Sequence, residues 1–220
     1  NRILDIFTYR TGYSHSFWER TYHSNIRLTP LSAEDSMHMA ESVLSVERLP
    51  QDLHTLVTSR AEGNPFFLEE IIKSLQETGA IRRSGERYVL AKRMTEIFVP
   101  STIQDVIMAR IDRLDEAPKK TLQLASVIGR EFSTRLLDRI TDIQDRSASP
   151  LQELRAVGLI YEKRVSSELA YIFKHALTHD VAYGSLLIQR RKELHRIIAL
   201  AIETLYADRL TEQYEVLANH

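Results

Sequence analysis

From Ser32 onwards, apolar residues recur every three or four positions in blocks bounded by glycine, proline or a capping side chain, and this period commits most of the chain to helices. The block "AEGNPFFLEEIIKSL" (61–75) shows the logic. Phe67, Ile71 and Leu75 lie four apart on one face, Pro65 stands in the first turn where its missing N–H is not needed, and Gly79 fits the end. Phe66 and Phe67 are expected to anchor this turn together in the core of one helical unit. Before it, "SAEDSMHMAESVL" (32–44) opens on Ser32 as an N-cap with acidic residues in the first turn, and Gln51–Ala61 forms a helix that stops near Gly63. "AIRRSGERYVL" (80–90) breaks the helical period, because "RSGE" supplies turn chemistry between two short runs of a small hairpin.

The texture changes after Pro100, and a domain boundary is placed close to it. "STIQDVIMARIDRL" (101–114) takes Ser101 as its cap and sets Ile103, Val106, Ile107, Ile111 and Leu114 on one stripe. The next helix takes Asp115 as its cap, Pro118 in its first turn and Gly129 as its stop; "STRLLDRI" (133–140) is a third, and "SASPLQELRAVG" (147–158) holds a fourth. "LIYEKR", "VSSE" and "LAYIFKH" then read as strand, turn and strand. Three helices followed by a two-stranded wing is the order of a winged helix. One long helix from about Ala176 to Ala207 is expected next, burying Tyr183, Leu186, Leu187, Leu194, Ile197, Ile198, Ala201 and Leu205, and "RLTEQYEVLANH" (209–220) reads as the opening helix of an array. At the other end "RILDIFTYR" (2–10), with Ile3, Leu4, Ile6 and Phe7 almost unbroken, has the look of a buried strand, and "NIRLTPL" (25–31) of a second. Such strands need neighbours that this chain barely supplies.

The inventory of chemistry is thin. The chain has no G-x-x-x-x-G-K-[ST] loop to cradle phosphates, so it is expected to lack ATPase activity by itself. It has no cysteine, which excludes disulfides, thiolate zinc sites and a catalytic thiol and fits a reducing, cytoplasmic setting. Its 29 Lys and Arg nearly balance 30 Asp and Glu, so no global field steers it to nucleic acid or anionic lipid. No apolar run has the length of a membrane span, and no signal-peptide layout opens the chain. It begins at Asn1 without an initiator Met and is read as an excerpt of something longer. His175 and His179 share the i, i+4 spacing of a metal pair, but Ala176 stands where the zincin pattern needs Glu, and capping or packing histidines are the plainer reading. "QRRKELHR" (189–196) is basic, yet Glu193 interrupts it on an amphipathic helix, which suits a solvated face.

Taken together and in order, "TYR", "AEGNPFFLEEIIKSL", "VPSTIQDVIMARIDRLDEAPKKTLQLASVIGREF" and "FKHALTHDVAYGSLL" resemble the C-terminal half of a STAND-type AAA signalling ATPase. The resemblance is to bacterial ATPase modules fused to class III adenylate or guanylate cyclases or to LuxR-type regulators, with tetratricopeptide repeats following. It implies a mainly α chain: the last strands of a P-loop α/β domain (1–30), a helical lid (31–95), a winged-helix domain with its long helix (96–205) and the start of helical repeats (206–220). The implied ligand is ATP or ADP, with Mg2+ supplied by the missing P-loop region. Arg10 is similar to the sensor arginine that reads the terminal phosphate. Gly63, Asn64 and Pro65 are similar to the lid element whose proline packs on adenine and whose glycine permits close backbone approach. His175 sits where related ATPases carry the histidine that contacts the diphosphate of ADP, although their following acidic residue is Ala176 here. The implied partners are other domains of the same polypeptide and proteins bound through the repeats. The alternatives are an interaction scaffold with a decayed nucleotide site and a DNA-binding winged helix. The latter is disfavoured because "SASPLQELRAV" offers a groove only Arg155 against Glu153.

Overall fold

The computed structural model describes residues 3–9, 13, 24–85, 87–93, 96–141, 149–165 and 168–220. Among them the chain is mainly α, with ten α-helices and five short strands.

The first unit is built from α1 (Ala33–Leu44), α2 (Gln51–Ala61) and α3 (Pro65–Glu77). Ser32 is the expected cap: its Oγ accepts from the Asp35 N–H at 3.0 Å and donates to the Asp35 carboxylate at 2.6 Å. Leu53, Val57 and Ala61 of α2 and Leu68, Ile71, Ile72 and Leu75 of α3 are buried against Ala40 and Leu44 of α1. A large aliphatic side chain so enclosed contributes about 1.5–3 kcal/mol. The hairpin of β1 (Ile81–Ser84) and β2 (Arg87–Leu90) forms as read, with Ile81 opposite Leu90 and Ser84 opposite Arg87.

The second unit begins with α4 (Ile103–Asp112). Its cap is Thr102, not Ser101. The Thr102 hydroxyl accepts from the Asp105 N–H at 3.1 Å and donates to that residue's carboxylate at 2.6 Å, a three-residue reach that Ser101 lies one position too early to make. In α5 (Glu116–Ile128), Asp115 holds the cap position without a side-chain capping bond, so its charge acts there only through the helix dipole. β3 (Glu131–Ser133), α6 (Thr134–Ile140), α7 (Ser149–Ala156), β4 (Ile160–Val165) and β5 (Glu168–Phe173) follow. The wing is larger than expected: β3 joins the two strands in an antiparallel sheet of order β3-β5-β4, pairing Phe132 with Tyr171, while Ile160 pairs with Phe173. Three residues are too few for a readable period. Phe132, Leu122, Leu154, Ile160 and Phe173 form the core beneath this sheet.

The single long helix is in fact two. α8 (Ala176–Gly184) stops at Ser185, and α9 (Ile188–Leu205) restarts after Leu187. The Ser185 hydroxyl donates to Ala182 O at 2.6 Å and accepts from the Gln123 amide at 2.9 Å, which holds the corner against α5. The break lets α8 pack on α4, α5 and β5 while α9 crosses to α5 and α6. Leu187, expected in the buried stripe, is 80% exposed at this corner. Beyond it, Leu194, Ile198, Ala201 and Ile202 of α9 pack against Val127 and Leu136. The end of the chain is a 3-10 helix (Ala207–Gln213) and a short α10 (Tyr214–Ala218).

The strands expected near the N-terminus do not form. Residues 3–9 and 24–31 carry no strand pairing, and Ile3, Leu4, Ile6, Ile26 and Leu28 are exposed. A lone strand leaves its N–H and C=O groups without a ladder, and the first strand among the described residues is β1.

Candidate functional site

The two units meet along α3. Adjacent helical residues point about 100° apart, and that angle separates the two phenylalanines. Phe67 is buried in the first core. Phe66 turns to the second, where its ring stacks on His175 with centroids 3.6 Å apart and an interplanar angle of 29°. The expectation that both anchor one core is therefore corrected: each serves a different core.

Just before them, the Gly63-Asn64-Pro65 turn is set by the protein's own chain. Gly63 has φ +73°, and a Cβ there would lie 2.6 Å from Leu31 O and 2.9 Å from Pro30 Cβ. The Leu31 N–H donates to Gly63 O at 2.8 Å. Glycine is required here by the approach of residues 30–31. Asn64 is the N-cap, its Oδ1 accepting from the Phe67 N–H at 3.1 Å. Pro65 occupies the first helical position as read, with its ring exposed.

His175 follows β5 at the cap position of α8 and makes no side-chain capping bond. Its Nε2 is buried without a hydrogen-bond partner among the described residues. Burial, then the neighbouring Lys174, pushes its pKa below the usual imidazole value, which favours the neutral ring. Arg10 lies outside the described residues. His179 is engaged otherwise, edge-on to Phe173 at 5.3 Å and 3.0 Å from Asp180 Oδ1. No cluster of three metal-ligating His, Asp or Glu side chains occurs among the described residues. Of the basic residues weighed above, Arg155 is held by Glu162 at 2.6 Å, Arg190 by Glu193 at 2.6 Å, and Arg191 lies over the Tyr183 ring at 4.8 Å.

Beside the Phe66–His175 stack lies a charge network that the sequence reading missed. Arg110 of α4 and Glu70 of α3 are 2% and 1% exposed and form an ion pair. Arg110 also donates to Glu77 at 2.7 and 2.9 Å and to Val157 O at 2.7 Å. Glu69 takes hydrogen bonds from Lys174 and from Lys73, the latter at 2.9 Å. α3 is thus tied to α4, to the turn after α7 and to the turn before α8. Partial burial alone would raise the Glu69 carboxyl, but the bonds from Lys174 and Lys73 override it and bring its pKa down to about 2. A folded pKa below the unfolded one stabilises above the unfolded value, about 4.5, and that contribution is lost as pH falls towards 2. Glu69→Gln is expected to be less stable than the parent at neutral pH, with the difference closing between about pH 4.5 and 2. Urea unfolding at a series of pH values measures this; a pH-independent difference would rule the ion pairs out as its source.

A family model described as a domain of unknown function (DUF8739) matches residues 32–84, the stretch from the Ser32 cap to the end of β1. An uncharacterized protein of Rhizobium meliloti (strain 1021) is 23% identical over 204 residues, which covers 91% of this chain and 19% of that protein. The chain therefore spans about a fifth of that relative's length. No helix among the described residues is long and apolar enough to cross a membrane.

Proposed function

We propose that this chain is the lid and winged-helix regulatory arm of a cytoplasmic, ATP/ADP-dependent switch ATPase whose output domain lies elsewhere in the same polypeptide. The observation that carries this reading is the Phe66–His175 stack. It joins the start of α3, where Pro65 is exposed, to a histidine whose buried Nε2 has no hydrogen-bond partner among the described residues. Both suit an adenine nucleotide: Pro65 offers a ring edge to a base, and His175 offers one N–H to a phosphate oxygen, a bond strengthened by the acceptor's charge. The nucleotide supplies the terminal phosphate whose presence or loss distinguishes the two states, and the phosphate cradle and Mg2+ come from outside this chain. Because the Arg110 and Glu69 networks join α3 to the second unit, the arm moves as one body between the closed and open arrangements.

The test is ADP and ATP affinity in the whole protein. Pro65→Ala removes a contact shared by both nucleotides and is expected to weaken both alike, shifting the resting balance little. His175→Ala removes a contact made only when the arm is docked on ADP and is expected to lower ADP affinity about ten- to a hundredfold, with less effect on ATP. Equal losses on the two nucleotides, or none, would remove the histidine from the mechanism. An interaction scaffold would respond to neither change.

A further inference from the structure

α10 is lightly held. None of its residues is buried, Tyr214 and Val216 are exposed, and Leu217 is the residue that packs with Leu194, Ile198 and Ile202 of α9. Its polar attachment to α9 comes from His220, just past the helix, whose Nδ1 lies 2.8 Å from Nδ1 of His195. The ring centroids are 4.9 Å apart, so the two nitrogens lie between the rings and face each other. On its other side His195 is fixed by α8, with Nε2 3.1 Å from the Tyr183 hydroxyl. The Tyr183 ring is in turn contacted by Arg191 at 4.8 Å and stacked on His179 at 6.3 Å.

Two facing imidazole nitrogens bond when one carries a proton and the other a lone pair. Two neutral rings meet that condition, and so does one imidazolium beside one neutral ring. Double protonation breaks it, because two N–H groups and two positive charges then oppose each other across 2.8 Å. The surroundings do not offset the second charge. Around the pair stand Arg191 from α9, Tyr183 and His179 from α8, and the Ile128 backbone at the end of α5; Asp180 lies 3.0 Å from His179 Nδ1. Burial, then Arg191, pushes the His195 pKa down. At His220 burial, then His195 itself, does the same against an opposing pull from the Ile128 backbone. Folded values below the unfolded one, about 6.5, give a docking contribution that is present above that pH and lost as pH falls through them.

We propose that the His195–His220 contact is a pH-sensitive latch: it holds α10 against α9 while at most one of the two rings is protonated, and acidification releases residues 214–220 while α9 stays packed on α5 and α6. The latch stands apart from the nucleotide reading, since neither histidine belongs to that site.

Millisecond amide hydrogen exchange on the whole protein at about pH 7.5 and about pH 5, corrected for the intrinsic pH dependence of exchange, tests it. In the parent, protection across residues 214–220 is expected to fall about tenfold or more at the lower pH, the scale of coupling between directly interacting titrating groups, with residues 194–202 unchanged. His220→Gln can give or take a hydrogen bond but carries no charge, and is expected to keep the segment protected at both pH values. His195→Gln is expected to behave alike, whereas His220→Ala exposes the segment at both. Parent protection that does not change with pH, a fall of the same size in both glutamine variants, or no protection of the segment at either pH would each overturn the latch.

Discussion

Arg110→Ala is expected to destabilise the fold by about 3–5 kcal/mol and to lower the thermal midpoint by roughly 10 °C. The guanidinium is 2% exposed and satisfies two carboxylates and the Val157 carbonyl at once. Its removal takes the direct ion-pair partner from the Glu70 carboxylate, itself 1% exposed, and leaves it Lys73 at 3.9 Å. The cost comes from the charge left behind rather than from the intrinsic strength of the pair. An Arg110→Met, Glu70→Leu, Glu77→Leu triple replacement should therefore recover much of the loss. Chemical denaturation of the parent, Arg110→Ala and the triple variant separates the cases. A loss below about 1 kcal/mol for Arg110→Ala would mean that solvent screens the network as it does a surface ion pair.

Gly63→Ala is expected to cost about 2–4 kcal/mol, from the left-handed backbone and from overpacking. The new Cβ would meet the backbone oxygen of Leu31 at 2.6 Å, so residues 30–31 must leave the start of α3 or the turn must distort. Gly79 and Gly85 supply the control. Both have the same sign of φ, at +63° and +64°, but a Cβ at either meets nothing within 4 Å. Alanine at those positions should cost only about 1 kcal/mol, the backbone term alone. Equal losses at the three glycines, measured by denaturant unfolding, would show that the approach of residues 30–31 carries no weight.

Local signals carried most of the helices. Ser32 and Pro65 mark helix starts because a cap or a missing N–H is settled within three residues, and the spacing of Phe67, Ile71 and Leu75 states which face is buried whatever it packs against. The hairpin at 81–90 was legible for the same reason. Tertiary structure decided what depends on a distant partner. The Gly184–Leu187 corner reads as continuous helix until α8 and α9 are asked to cover different neighbours. Glu131–Ser133 becomes a strand only because β5 lies beside it, whereas residues 3–9, with a stronger strand texture, form no strand. Of the candidate site, the turn at 63–65 was visible in sequence, but its company was not. Nothing local shows that Phe66 leaves the core of Phe67 to stack on His175. One clue to the network was present: Arg110 stands three residues after Ile107 and four after Val106, on the apolar stripe of its own helix. A charge in that position requires buried counter-charges, and only the packing of α3 against α4 could name them as Glu70 and Glu77.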